Sequence, residues 1–226
     1  MTVTNNFLFG NPENLLNSAS NESSKYSVNS LGYRTSEFDS INWNDAIVVF
    51  GCSYVFGIGL QDSETITNQL SQLLNRPVIN MGVPASSISY SFFNQMTLAE
   101  LNIAPHAIVN LWTSVARQTY FCNRTPFHLG PWMESKENTL ENRKLKSMFD
   151  LWNFDDSNVD IHAKNIQRAS RLIWKGTKHI EGTFFPSTSK ALDVELFSIV
   201  DSARDEKHLG PQTAARVAER LAIKLL

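Results

Sequence analysis

The stretch AIVVFGCSYVFGIGL, residues Ala46–Leu60, decides the fold. It begins with a run of β-branched and aromatic residues, stops at Gly51, places Ser53 two positions later and then contains Gly57 and Gly59. An apolar run of this length that ends at a glycine is typical of a buried strand followed by a sharp turn. We therefore predict that Ser53 lies at the carboxyl end of a strand.

The rest of the chain alternates strand and helix patterns. After the first strand, we predict a helix over QDSETITNQLSQLL, which Asp62 can cap, and then a second strand at RPVINMG. We predict a further helix over ASSISYSFFNQMTLAEL and a third strand at HAIVNLW. A helix over 158–174, strands near HIEGTFF and ELFSIV and a final amphipathic helix follow. Short connections between such elements indicate a parallel sheet with right-handed crossovers. We predict a doubly wound α/β protein with five strands.

The domain organisation follows from where the alternation of strand and helix patterns is absent. Residues 1–44 are rich in Asn and Ser and predict an irregular arm, so the domain spans 45–226. Between about 113 and 178 the chain leaves the alternation, and this excursion includes the aromatic segment TYFCNRTPFHLGPWM. Long insertions in compact domains are often functional, and this one can form a lid.

Composition limits the possible partners and the compartment. The 226 residues carry 20 basic and 22 acidic side chains, and no basic run is interleaved with aromatic residues, so we expect a small-molecule partner and neither nucleic acid nor a membrane. Cys52 and Cys122 form no CxxC pair, which argues against a disulfide scaffold or a zinc site and favours a cytoplasmic setting. No signal-like or membrane-spanning segment is visible. We predict no metal and no cofactor, and the number of subunits stays open.

Ser53 can play three roles at a strand-to-helix turn. It can cap the following helix, as many serines do there. It can belong to a phosphate loop, but GxxxxGK[ST] is absent and GIGLQD places Asp62 where a dinucleotide fingerprint needs its third glycine. It can also be a nucleophile, which requires a base within reach.

The segment ARDEKHLGP near the end of the chain supplies a candidate base. Asp205 and His208 are three residues apart, so the carboxylate can accept a hydrogen bond from one imidazole nitrogen and leave the other to take a proton from a hydroxyl. By itself this spacing also fits an ordinary surface pair. Because the segment follows the last predicted strand, the pair can converge with Ser53 at the carboxyl edge of the sheet.

Three blocks of the chain resemble the SGNH hydrolases, also called the GDSL esterase/lipase superfamily. They are VVFGCSYVFGIGL, VINMGVPASSISYS and ARDEKHLGP with the helix after it, and NSLGYRTSEFD resembles the lead-in of some members. The resemblance covers about residues 29–226 without the 113–178 excursion. It implies a three-layer α/β/α flavodoxin-like fold with a five-stranded parallel sheet, and hydrolysis of esters or thioesters through an acyl-enzyme.

The resemblance also implies roles for individual residues. Ser53 would be the nucleophile, His208 its general base and later the acid, and Asp205 the residue that orients His208. The backbone N–H groups of Ser53 and Gly82 would donate to the oxyanion, although a glycine at 82 also suits an ordinary turn.

Two positions depart from the family pattern. Gly-Cys-Ser replaces the common Gly-Asp-Ser, which makes Cys52 a rival nucleophile unless it is simply a small packing residue. The usual third-block Asn is replaced by Thr113 or Ser114, while Asn110 is expected inside the strand. A Thr hydroxyl can donate one hydrogen bond. Either Thr113 completes the oxyanion hole more weakly or another donor, such as Arg117, substitutes.

The excursion supplies candidate substrate-binding residues. Tyr120, Phe121, Phe127 and Trp132 can form an apolar wall over an acyl group, or else cover the core or a subunit interface. Two further histidines fall here: His128 is a possible alternative base without a nearby carboxylate in sequence, and His162 fits a packing position on an apolar helix face.

We conclude from the sequence that the chain is a serine hydrolase of a small acyl or acetyl ester, possibly on a carbohydrate. A binding or structural module with the same fold is the alternative that the missing Asn motivates. A nucleotide-binding flavodoxin-like protein is a third possibility. The sequence does not distinguish hydrolysis from acyl transfer, because both use the same acyl-enzyme.

Overall fold

The computed structural model describes residues 26–122 and 125–226. Within these ranges five parallel strands form one sheet and two antiparallel strands form a separate hairpin. This sheet confirms the predicted α/β fold. The strands are β1 Ile47–Gly51, β2 Val78–Gly82, β3 Ala107–Trp112, β4 Gln118–Cys122, β5 Thr125–Leu129, β6 Lys178–Thr183 and β7 Glu195–Leu196.

Helices connect the strands and cover both faces of the sheet. The long helix predicted over 158–174 is confirmed within two residues at its start. Over the described ranges the helices are α1 Ser53–Phe56, α2 Ile66–Leu74, α3 Ile88–Glu100, α4 Leu140–Trp152, α5 Asp156–Ile173, α6 Pro186–Leu192 and α7 Pro211–Leu225.

The strand order β2-β1-β3-β6-β7 places the first strand between its two successors. The crossovers from β1 to β2 and from β2 to β3 therefore run in opposite directions. In open parallel sheets a crevice forms at such a switch point, outside the carboxyl ends of the strands. Here that point is the end of β1, at Gly51, just before Ser53.

Alternating residues of β1 face the two helical layers. Ile47 and Val49 pack on the face covered by α2 and α7, and Val48 and Phe50 pack on the face covered by α3. Near β3 the second face continues against α5 and α6. All five residues of β1 are buried, as expected for a parallel sheet with helices on both sides.

One local expectation needs correction. Asp62 does not cap α2: the Thr65 hydroxyl accepts a hydrogen bond from the Asn68 N–H and caps that helix, while Asp62 pairs with Arg34. The short fifth strand predicted near ELFSIV is confirmed as Glu195–Leu196. It ends there because its neighbour β6 ends at Thr183, so no further partner is available.

Part of the predicted arm, residues 1–25, lies outside the described residues. The remainder, 26–44, forms turns and short 3₁₀ helices. Leu31, Tyr33 and Phe38 in this part are buried against the second face of the sheet. Residues 26–44 therefore contribute to the core.

The 113–178 excursion contains the β4–β5 hairpin, α4 and α5. α5 buries residues such as Val159 and Ile166 against the sheet, whereas none of the residues described in α4 is buried. A lid function for this region stays a prediction. None of the described helices is long and apolar enough to cross a bilayer.

Candidate active site

Ser53 is the first residue of α1 and follows the end of β1 by two positions. Its neighbour Cys52 is the N-cap residue but makes no capping side-chain bond. The Ser53 side chain is buried, and its hydroxyl makes no hydrogen bond to the described part of the chain. The carbonyl of Ser53 accepts a hydrogen bond from Gly57 at 2.9 Å, which closes the short helix. This bond fixes the backbone of Ser53, and a nucleophilic role of its hydroxyl stays a prediction.

Asp205 and His208 form the predicted pair. The Asp205 Oδ2 to His208 Nδ1 distance is 2.5 Å, and Oδ1 accepts the backbone N–H groups of Lys207 and His208 at 3.2 and 3.1 Å. Burial alone would raise the pKa of Asp205, but these hydrogen bonds outweigh it and keep the pKa below its usual value. An ionised carboxylate only accepts, so Nδ1 carries a proton and Nε2 is the basic nitrogen.

The loop after α1 touches the loop that carries Asp205. A Cβ added at Gly59 would lie 2.8 Å from the Ala203 Cβ and 3.1 Å from the Asp205 Oδ1, so only a glycine permits this approach. Arg204 strengthens the junction, because its guanidinium binds both carboxylate oxygens of Glu64 at 2.6 and 2.8 Å. The fold thus brings the segment after Ser53 against the segment that carries the candidate base.

One aromatic ring contacts the candidate base, and two further rings pack on that ring. Tyr54, next to Ser53, meets the His208 ring edge to face at 5.8 Å and stacks on Phe185 at 5.6 Å. Phe184 contacts Tyr54 at 5.2 Å. Sequence reasoning missed these three aromatic residues. The rule that ligands bind at carboxyl ends of strands could have found Phe184 and Phe185, because they directly follow β6.

Arg34 supports the loop after α1. Its guanidinium donates to the carbonyls of Phe56, Gly57 and Leu60 at 3.2, 2.6 and 2.8 Å, and it pairs with Asp62. These bonds satisfy carbonyls that the end of a short helix leaves without partners. No pattern in the sequence indicates this role, because residue spacing does not reveal which carbonyls a distant guanidinium reaches.

Gly82, the predicted oxyanion donor, already has a hydrogen-bond partner. Its N–H donates to Oδ1 of Asn80 at 3.0 Å. A Cβ at Gly82 would lie 2.3 Å from the Phe56 nitrogen, so the close approach of β2 to α1 requires a glycine here. The oxyanion role of Gly82 stays a prediction, and it would require this N–H to exchange its partner.

The third block places a buried hydroxyl beside the crevice. Thr113 follows β3, and its Oγ1 is shielded from solvent without a hydrogen-bond partner in the described residues. Such an orphaned atom in a folded protein calls for an explanation, and a ligand oxygen would supply one. Asn110 lies within β3, as expected, and its amide bonds to Gln95, Ser170 and His179 in the interior.

The four predicted substrate-binding aromatics have different surroundings. Phe121 stacks on Tyr90 of α3 at 6.3 Å. Tyr120 and Phe127 face each other across the hairpin, on the side opposite to Phe121, because side chains alternate along a strand. Trp132 lies against Arg117, whose guanidinium carbon is 5.2 Å from the ring centroid.

The remaining sequence candidates have other environments. Cys52 is buried, with 2% of its surface exposed. Nδ1 of His128 is 2.9 Å from the Thr119 hydroxyl, which places this histidine in the hairpin. His162 packs edge to face on Trp152 at 4.9 Å, but its buried Nε2 has no partner in the described residues. His162 is therefore a packing residue that is only partly satisfied.

Comparison with known proteins was informative only at the level of structure. No protein-family model matches the chain, and no curated protein matches it. Two solved structures with TM-scores just below one half are described as a lipolytic protein of the G-D-S-L family from Desulfitobacterium hafniense (0.49, 9% identity) and an acetyl xylan esterase from Butyrivibrio proteoclasticus (0.48, 10% identity). The aligned part is 80% of this chain and 99% of the first protein, and 82% of this chain and 64% of the second.

A third structure is similar enough to define the fold. It is a carbohydrate esterase family 2 enzyme with a carbohydrate-binding domain from Corynascus thermopiles (Myceliophthora fergusii), with a TM-score of 0.50 and 11% identity. The match covers 80% of this chain and 65% of that one, so this chain spans less than two thirds of the esterase. The chain has the fold of the SGNH hydrolases. At this identity the likeness defines the fold alone.

Proposed function

We propose that the chain is a serine hydrolase that cleaves a small acyl or acetyl ester through an acyl-enzyme. The observation that carries this proposal is the 2.5 Å hydrogen bond between Asp205 and His208, in a loop that packs against the loop following Ser53. In this arrangement Ser53 would serve as the nucleophile, His208 as the base and Asp205 as the orienting carboxylate. The fold shared with a carbohydrate esterase makes acylated carbohydrates the first substrates to test.

In the proposed mechanism the Ser53 Oγ attacks the ester carbonyl carbon while Nε2 of His208 takes the hydroxyl proton. The resulting imidazolium returns this proton to the departing alcohol oxygen, which leaves an acyl group on Ser53. Water then attacks the acyl carbon, with His208 again as base, and releases the acid and free Ser53. Asp205 stays ionised and stabilises the imidazolium.

The negative charge on the carbonyl oxygen needs donors. The N–H of Ser53, at the start of α1, and the hydroxyl of Thr113 are candidates, and Gly82 is a third if its bond to Asn80 opens. The loss of one such donor typically lowers the rate about 100- to 1000-fold. Tyr120, Phe121, Phe127 and Trp132 stay proposed contacts for the acyl or alcohol part of the substrate.

The test is intact-mass analysis after incubation with a fluorophosphonate. We expect one adduct on the wild type, and no adduct on Ser53→Ala or His208→Ala when circular dichroism shows both variants folded. Cys52→Ala is the matched control and keeps the adduct. An adduct that disappears in Cys52→Ala but persists in Ser53→Ala would assign the reactivity to the cysteine and contradict the proposal.

A binding module with the hydrolase fold is the second candidate. Two observations favour it: the Gly82 N–H is already hydrogen-bonded, and the Asn110 amide is bonded in the protein interior. Both reduce the donors available to an oxyanion. This candidate predicts a folded wild type that forms no fluorophosphonate adduct.

A further inference from the structure

Arg117 is a cation with an unusual environment beside the candidate site. Its guanidinium carbon lies 5.2 Å from the ring centroid of Trp132 and 5.3 Å from that of Phe185. Nε and Nη1 are shielded from solvent and have no hydrogen-bond partner in the described part of the chain. No described carboxylate forms an ion pair with this side chain.

Other arginines in the described residues are either paired or exposed. Five are paired with carboxylates, and Arg143, Arg168 and Arg216, which form no ion pair, are exposed to solvent. Shielded N–H donors that lack a partner are costly, and contact with aromatic rings offsets only part of this cost. The unmet donors of Arg117 therefore indicate a partner that is not part of the described chain. The paired arginines and their partners are Arg34 with Asp62, Arg76 with Asp45, Arg171 with Glu181, Arg204 with Glu64 and Arg220 with Glu195.

A chain of ring contacts places this cation near the reacting groups. Phe185, which touches Arg117, stacks on Tyr54, and Tyr54 is next to Ser53 and in contact with His208. Burial is the main reason that the pKa of Tyr54 is raised, and the charge of Arg117 acts against it. The cation thus acts electrostatically on a residue that touches the candidate base.

Other orphaned polar atoms lie on the same part of the chain. Thr113 Oγ1 and His128 Nε2 are also shielded without partners in the described residues. Arg117 supplies the second contribution, after burial, that lowers the pKa of His128, so the charge reaches this residue as well. An oxygen-rich ligand group would find polar partners here and would not have to break an ion pair among the described residues.

We propose that Arg117 binds a carboxylate carried by the ester substrate, which makes it a specificity-determining residue. The two rings can hold the guanidinium plane and leave its N–H groups at the edge, where a carboxylate binds in two-point geometry. This inference rests on the proposed function only in taking the ligand to be an ester. The anion preference itself can be measured without turnover.

The experiment uses calorimetric binding to Ser53→Ala, so that hydrolysis does not interfere. The probes are 4-acetoxybenzoate and its neutral methyl ester, which share the acetyl group and differ in the carboxylate. We expect the anionic probe to bind about 10- to 100-fold more tightly, since a hydrogen bond to a charged group contributes about this much to affinity. Adding Arg117→Met brings the ratio of the two affinities to about one. Arg168→Met, which removes an exposed cation on α5, is the matched control and keeps the ratio.

Several outcomes would overturn the inference. They are equal affinity for the two probes, binding of neither, or an unchanged ratio in Arg117→Met. An equal loss of affinity for both probes would also overturn it, because that result fits a residue that only shapes the site. If Arg117→Met does not fold, Arg117→Gln and Arg117→Lys replace it, with the ratio lost in the first and partly kept in the second. Fluorophosphonate labelling tests the proposed function separately, so the two can fail independently.

Discussion

His128 lies between the hairpin and α3 with only one ring nitrogen hydrogen-bonded. Its ring meets Tyr90 edge to face at 5.1 Å, and its shielded Nε2 has no partner in the described residues. Burial, and secondly the charge of Arg117, lower the pKa of His128 to about 4. The residue is therefore neutral at pH 7. A histidine with this pKa is too weak a base to replace His208 in the proposed mechanism.

This environment predicts an acid-sensitive contribution to stability. The unfolded chain binds the His128 proton near pH 6.5, whereas the folded chain binds it only near pH 4. The folded state is thus destabilised progressively as the pH falls from 6.5 to 4, by up to about 3 kcal/mol. Urea unfolding of His128→Gln at a series of pH values should show a shallower acid slope than the wild type. An unaltered slope in His128→Gln would contradict this account.

At the scale of elements, the loop after α1 owes its shape to a side chain from the segment before β1. Arg34 is buried, with 8% of its surface exposed, and its guanidinium reaches three carbonyls between Phe56 and Leu60. Tyr26 and Phe56 lie against the guanidinium at 4.7 and 5.8 Å. The position of α1, and with it Ser53, therefore depends on residues outside the three family-like blocks.

We predict that Arg34→Met lowers the free energy of unfolding by about 3 kcal/mol, because buried carbonyls that lose a donor cost about 1–3 kcal/mol each. Urea denaturation measures this change. Asp62→Asn is the matched control: it weakens the same ion pair from its exposed side and should cost less than about 1 kcal/mol. Equal losses in the two variants would mean that the ion pair, and not the carbonyl contacts, carries the stability.

At the scale of the whole molecule, a buried polar network joins the sheet to the second helical layer. The Asn110 amide bonds to Gln95 of α3, Ser170 of α5 and His179 of β6. Trp174 also donates to Gln95 at 3.1 Å. Because buried polar groups need partners, this network fixes how α3 and α5 pack against β3.

The network predicts that a substitution at Asn110 lowers stability but leaves the reactivity of the folded protein unchanged. Asn110→Ala should lower the free energy of unfolding by about 2–4 kcal/mol, since it leaves several buried groups without partners. The folded fraction should still form the fluorophosphonate adduct, because this amide bonds to groups in the interior and not to the candidate site. Intact-mass labelling and urea unfolding of the same sample test both parts. A stable Asn110→Ala that forms no adduct would instead place Asn110 in the reaction.

The sequence predicted those features that depend on local pattern or on chain order. Buried strands are visible as apolar runs, and parallel strands bring their carboxyl ends to one edge, which is why Ser53 and His208 could be expected to converge. Contacts between distant segments were not visible. Examples are the Arg34 carbonyl contacts, the Asn80 side chain that occupies the Gly82 N–H, and the end of β7, which depends on where β6 ends.

The junction between Gly59 and the Asp205 loop has a consequence for the order in which the protein folds. Ser53 and His208 are 155 residues apart in the chain. α7, which follows His208, packs against α2, which follows Ser53. Contacts between such distant segments form slowly and late during folding. The segments that carry the proposed nucleophile and the proposed base would therefore meet only in the late steps of folding, and fluorophosphonate labelling during refolding should lag behind the formation of helix.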